Sequence, residues 1–195
     1  MDVDEFAKLL MDPDRKKWQD PDSIYDQIQI NPESRVADLG CGPGFFAIPF
    51  SKKLGRNGTI FAIDSSPEML KHLSENLTLA DPENTRAAIF VIEANVCETG
   101  LASQFVDVVL FANLLHDLES PEKFLSEVKR IAKLNAKIID IDWQKLETDN
   151  NGPPIHRRLS ENESRTLLSE NGLRIVHALN VGPYHYGFVC RQESK

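Results

Sequence analysis

The sequence predicts an α/β protein, a layered sandwich built on a mostly parallel sheet. Three observations carry this. Apolar runs at 35–39, 59–64, 88–93, 106–112 and 136–143 recur along the chain and read as the strands of five βα units. The first of them leads into a glycine-rich bend, Gly40-Cys41-Gly42-Pro43-Gly44. Past the fifth, residues 174–180 and 184–191 alternate in polarity and read as two closing strands joined by Gly182-Pro183. At 195 residues the chain is long enough for one substantial core, and 41% apolar with 27% charged residues is ordinary for a globular domain.

Residues 1–34 read as an N-terminal helical extension ahead of a domain spanning 35–195. Val3, Phe6, Leu9 and Leu10 have helical spacing, which Asp12-Pro13 and Asp20-Pro21 interrupt. A second short helix is predicted over 22–29. The extension either packs against the sheet edge or forms a lid over a ligand mouth, with Trp18 and Tyr25 as its aromatic candidates for contact.

In the first unit, Val36, Ala37 and Leu39 make a buried strand, and the three glycines supply bare backbone beside a ligand. Pro43 can occupy the first turn of a helix running to about Lys53. The spacing Gly40-x-Gly42-x-Gly44 departs from the dinucleotide fingerprint by placing the third glycine one position early. Asp38 stands two residues before the bend, and an acid there suits an ammonium group better than a phosphate. About twenty residues beyond Gly44 the second strand ends in Asp64, the separation at which a carboxylate reaches ribose hydroxyls in such units. Ser66-Pro67-Glu68 then caps and opens a helix through about Asn76.

Asp38-Leu39-Gly40-Cys41-Gly42-Pro43-Gly44 resembles motif I of the class I S-adenosylmethionine-dependent methyltransferases, and Asp64-Ser65-Ser66-Pro67-Glu68-Met69-Leu70 is similar to the D-x-S-x-x-M-L that follows it. The resemblance covers about residues 30–191. It implies a Rossmann-like, three-layer sandwich with a seven-stranded, mostly parallel sheet whose last strand is antiparallel. From residue 106 onward the likeness is to the small-molecule group related to ubiquinone and menaquinone biosynthesis C-methyltransferases. The implied cofactor is S-adenosyl-L-methionine. Gly40, Cys41 and Gly42 would approach its methionine portion, Asp38 its ammonium and Asp64 its ribose, with Ser65 and Met69 flanking adenine. Asn95 and Val96 end the third strand where the family often has an adenine-binding Asp; a turn-capping role for Asn95 is the alternative. Asn113 leaves the fourth strand as a further cofactor-binding residue, and His116 follows where the family often places residues facing the acceptor. His116 has the ordinary pKa of a general base, against the alternative of a capping or packing histidine. Asp117, His156, Tyr184 and His185 are secondary candidates.

Several classes are disfavoured. A net charge of −8 argues against a phosphate backbone as the partner. No run approaches the ~20 apolar residues of a membrane span, and the first residues are acidic, so a cytoplasmic location is expected. Cys41, Cys97 and Cys190 are scattered and odd in number, which favours neither a disulfide framework nor zinc, and no metal is expected. They also lack the spacing of an arsenite methyltransferase, and the fourth strand lacks the N/D-P-P-Y/F of enzymes that modify nitrogens in DNA and protein. The reading is therefore a methyltransferase acting on a small organic acceptor at O, N or activated carbon, with a homodimer left open. Its alternative is a cofactor-binding protein without turnover, or a subunit whose partner completes the acceptor site.

Overall fold

The computed structural model describes residues 2–80, 86–147 and 152–193. Its strands are β1 (Arg35–Leu39), β2 (Thr59–Asp64), β3 (Ala88–Glu93), β4 (Val106–Ala112), β5 (Ala132–Trp143), β6 (Leu173–Ala178) and β7 (His185–Gln192). They form one sheet in the order β3-β2-β1-β4-β5-β7-β6, parallel except for β7, which runs against both of its neighbours. The helices are α1 (Val3–Leu10), α2 (Pro21–Ile28), α3 (Ala47–Leu54), α4 (Pro67–Ala80), α5 (Pro121–Ile131) and α6 (Glu161–Glu170). Strand order reverses between β1 and β4, and the crevice outside their carboxyl ends is where ligands bind in open α/β sheets.

The alternation of side chains along the strands sends successive residues to two cores. Val36 and Leu110 pack with Ile24, Phe50 and Leu73 from α2, α3 and α4. Leu39 and Phe111 pack on the other face with Phe124 and Leu168 from α5 and α6. Asp38 lies between Ala37 and Leu39, so the pleat turns its side chain to the α3 face.

The structure corrects three local expectations. The helix after the glycine bend begins at Ala47 rather than at Pro43, because three successive left-handed glycines carry residues 40–44 through turns first. The third unit has no helix: residues 94–105 cross from β3 to β4 as a loop, fastened where Thr99 N and Oγ1 donate to Glu127 Oε1 at 2.8 and 2.6 Å. The fifth strand begins earlier than the run at 136–143: α5 stops at Ile131 and β5 starts at once at Ala132, paired with Val106. Between β5 and α6, residues 148–151 lie outside the described residues, and a 3-10 turn stands at Ile155–Arg157.

Candidate functional site

The glycine bend is built by backbone conformation and by one carboxylate. Gly40, Gly42 and Gly44 have φ of 71°, 52° and 98°, the left-handed region that side chains strain to enter. At Gly44 space forbids a side chain as well, since an added Cβ would lie 2.5 Å from Leu73 Cδ1. Gly42 N donates to Asp64 Oδ2 at 2.8 Å, and Ser66 N donates to Asp64 Oδ1 at 2.9 Å, so one acid joins the bend to the start of α4.

Asp38 sits on the neighbouring strand, 3% exposed, and its Oδ2 has no hydrogen-bond partner among the described residues. Burial pushes its pKa up to about 7, and the charge of Asp64 adds to this, while the Ala47 N–H at the start of α3 pulls the other way. A buried acceptor without a donor is rare in a folded protein. Its chemistry fits a donor arriving from outside the chain, best of all a cation that restores the charged form.

The remaining predicted residues divide. Met69 and Val96 are buried near the two strand ends, while Ser65 is exposed beside Asp64. Cys41 is buried, which pushes its thiol far up and leaves it inert. Asn95 Oδ1 accepts from Cys97 N at 2.8 Å, so its carbonyl oxygen closes a turn. Asn113 adopts a left-handed φ of 56° at the tip of β4, and its Nδ2 donates to Gln19 Oε1 at 3.2 Å.

Next to the bend lies a cavity of about 540 Å³. Leu10, which faces Gly42 at 3.8 Å from where a Cβ would stand, belongs to its wall. The N-terminal segment contributes Phe6, Leu9, Arg15 and Trp18; the sheet contributes Asn113, His116, Asp117 and Trp143; the far loop contributes Gly152 to Pro154 and Arg157. Each contributor is held. Asp4 Oδ1 meets His72 Nε2 at 2.8 Å, tying α1 to α4. Trp18 lies 5.4 Å from Trp143 and stacks on His185 at 5.5 Å, and Gly152 lies flat on the Trp143 ring.

His116 is fixed in this wall by two acids. Its Nδ1 contacts Asp142 Oδ1 at 2.6 Å, its backbone N donates to Asp142 Oδ2 at 3.1 Å, and its Nε2 lies 3.2 Å from Asp117 Oδ1. Asp117 also accepts from Arg157 Nη2 at 2.8 Å. Burial works to lower the His116 pKa, but the hydrogen bonds and charges of Asp117 and Asp142 win and raise it to about 9.

The secondary candidates scatter. Asp117 joins the cluster, whereas His156 is exposed on its 3-10 turn. His185 is 2% exposed between two tryptophans, and burial lowers its pKa to about 3, so it stays neutral. Tyr184 lies 6.1 Å from Trp18 without lining the cavity. Of the aromatic pair from the extension, Trp18 reaches the cavity, while Tyr25 packs edge-on against Phe50 at 5.1 Å. The sequence reading passed over Arg15, Gln19, Asp142, Trp143 and Arg157. Asp140 and Asp142, alternating inside an otherwise apolar strand, were the available signal for Asp142.

Comparison with known proteins places this arrangement. A methyltransferase-domain family model matches residues 37–139. The crystal structure of a SAM-dependent methyltransferase from Aquifex aeolicus is similar at 32% identity with a TM-score of 0.88, over 97% of this chain and 98% of that one. Magnesium protoporphyrin IX methyltransferase from Synechocystis PCC 6803, solved with bound SAM, shares the fold at 15% identity, TM-score 0.63, over 98% of this chain and 78% of its own. The 2-phytyl-1,4-naphtoquinone methyltransferase of Trichormus variabilis is 25% identical over 114 residues, 58% of this chain and 48% of that protein. The chain spans about half the length of such curated relatives. On the family model and the likeness along its whole length, the chain belongs to the S-adenosylmethionine-dependent methyltransferases.

Proposed function

We propose that the chain transfers the methyl group of S-adenosylmethionine to a small organic acceptor held in the cavity beside the glycine bend. The observation that carries this is the junction itself: Leu10 both faces Gly42 of the bend and lines the 540 Å³ cavity, and Leu114, which packs at Gly40, follows the cavity residue Asn113. Two ligands bound there would touch end to end, which is what an in-line displacement needs. When bound, the cofactor supplies an activated methyl on positive sulfur.

The chain's own residues then bind, align and move a proton. Asp64 turns its carboxylate to the ribose hydroxyls, and Asp38 offers its unpartnered Oδ2 to the ammonium. Gly40 and Gly42 let the methionine portion approach the backbone; Ser65, Met69 and Val96 border the adenine. Trp18 and Trp143 give the acceptor side an aromatic wall that excludes water. His116, oriented by Asp142 at Nδ1, is the residue that takes a proton from the acceptor, its Nε2 exchanging the Asp117 carboxylate for the acceptor. The free thiols at Cys41, Cys97 and Cys190 agree with a reducing compartment, and we place the enzyme in the cytoplasm. Among the described residues no helix is long and apolar enough to cross a membrane.

The test is a screen of phenols, quinols, amines and carbon acids with methyl-labelled S-adenosylmethionine. Label moving to at least one acceptor, with S-adenosylhomocysteine formed in equal amount, is the expected result. Binding of the cofactor with no transfer across the panel would favour the alternative, a binding protein or a subunit whose partner completes the site.

A further inference from the structure

Arg15 is a buried cation with no acid beside it. Its side chain is 7% exposed and lies 3.8 Å over the Phe45 ring. Its hydrogen bonds go to neutral oxygens: Nε and Nη2 donate to Gln19 Oε1 at 3.1 and 2.7 Å, and Nη1 donates to Leu10 O at 2.9 Å. A guanidinium carries more N–H donors than these bonds use. Among the described residues no carboxylate forms an ion pair with it, and burial alone drags its pKa down to about 9. Taking such a charge out of water without an anion is expensive.

Its neighbours say where an anion would arrive. Phe45 follows Gly44, and Leu10 faces Gly42, so Arg15 stands over the rim of the glycine bend. Gln19 carries the contact on to Asn113, with Nε2 to Oδ1 at 3.5 Å, at the tip of β4. Lys16 and Lys17 of the same turn are occupied by Asp22 and Asp14 on the outer surface. The bend thus has an unpartnered acid beneath it, Asp38, and an acid-free cation above it, a charge pattern complementary to an amino-acid headgroup.

We propose that Arg15 receives the carboxylate of the bound cofactor's methionine portion and thereby fastens residues 3–18 as the outer wall of the acceptor cavity. This rests on the reading that the bend holds S-adenosylmethionine. Phe6, Leu9, Leu10 and Trp18 line the acceptor side, so a cofactor that locks this segment also completes the place where the acceptor binds. Cofactor before acceptor is then the order of binding.

The test uses the intact chain and two probes that share adenosine and thioether: S-adenosylhomocysteine, which has the headgroup, and 5′-methylthioadenosine, which lacks it. By calorimetric titration, Arg15→Met weakens S-adenosylhomocysteine about ten- to a hundredfold, leaves methylthioadenosine within about twofold, and Arg15→Lys recovers part of the loss. Unchanged methylthioadenosine binding shows that the variant is folded. Hydrogen exchange over residues 3–18 slows with S-adenosylhomocysteine in the wild type, but not with methylthioadenosine and not in Arg15→Met. Equal weakening of both probes, or of neither, overturns the proposal. So does an Arg15→Met variant, loaded with S-adenosylhomocysteine, that loses binding of 1-naphthoate while cofactor affinity is unchanged; the carboxylate would then be the acceptor's. A wild-type chain that binds neither nucleoside overturns the cofactor reading beneath it as well.

Discussion

The cofactor end and the acceptor end of this molecule are built in different ways. At the bend, the three glycines and both acids come from 27 consecutive positions, Asp38 to Asp64, and one backbone N–H, that of Gly42, ties Asp64 to the bend. At the cavity, the same job takes four separate segments: α1 with the turn behind it, the tip of β4, the end of β5 and the loop before α6. His116 and Asp142 are 26 residues apart, Asp117 and Arg157 are 40 apart, and Gln19 and Asn113 are 94 apart. A local site tolerates change elsewhere in the chain, whereas an assembled one depends on every contributor being in place. On the proposed function, the cofactor end can therefore be shared across a family while the acceptor end sets what each member methylates.

The contrast can be broken first at His116. His116→Asn is expected to lower turnover by about 10²–10⁴-fold while S-adenosylhomocysteine binds as before, because no cofactor contact is removed. As a base His116 must be neutral, and Asp117 and Asp142 hold its proton up to about pH 9, so kcat/KM rises with pH to that point. Removing one of those acids, in Asp117→Asn, moves the rise to lower pH. A flat profile in both proteins would remove the proton-transfer role.

Next comes Asp64. Asp64→Ala deletes the acceptor for Gly42 N and Ser66 N as well as the proposed ribose partner. Cofactor affinity should fall about ten- to a hundredfold, from a charged hydrogen bond worth roughly 1.5–3 kcal/mol, as read by calorimetry. An unchanged affinity would mean that the ribose lies elsewhere.

Asp38 gives a smaller effect with a sign that can be checked. Below about pH 7 it holds a proton in the empty site, and a ligand ammonium requires that proton to leave. Affinity for S-adenosylhomocysteine therefore falls as pH drops below about 7, by up to about tenfold per unit. Asp38→Asn should lose this slope between about pH 5.5 and 7 along with part of the affinity. Persistence of the slope in the variant assigns it to another group. The smallest change is expected at the aromatic wall: Trp18→Leu keeps the segment apolar but removes the stack on His185 and the contact with Trp143. It should raise KM for the acceptor severalfold, consistent with about 0.5–1.5 kcal/mol for an aromatic pair, and leave cofactor affinity nearly unchanged.

The same contrast explains what could be read from sequence. Asp38, the three glycines and Asp64 could be grouped from the sequence because they lie along one βα unit. Five strands were legible as apolar runs, including β3 although it buries none of its residues, and the last two by their alternation in polarity. The start of α3 was missed because Pro43 suits a helix's first turn as well as it suits a glycine turn, and only the backbone angles decide between them. The absence of a helix after β3 could not be read because the residue that fastens this loop, Glu127, is supplied from α5. Asp142 and Arg15 escaped notice because a charged residue inside an apolar strand, or in a turn full of lysines, acquires meaning only from partners distant in the chain. Asn95 could have been either an adenine contact or a turn residue, and its oxygen is engaged by Cys97 N.

The most direct measurement is a crystal structure of the intact chain with S-adenosylhomocysteine. The ribose hydroxyls should lie within hydrogen-bond distance of Asp64 and the ammonium should face Asp38 Oδ2, with the sulfur turned toward Asn113 and the cavity. A nucleoside bound away from the bend, or a sulfur pointing away from the cavity that His116 lines, would contradict the account.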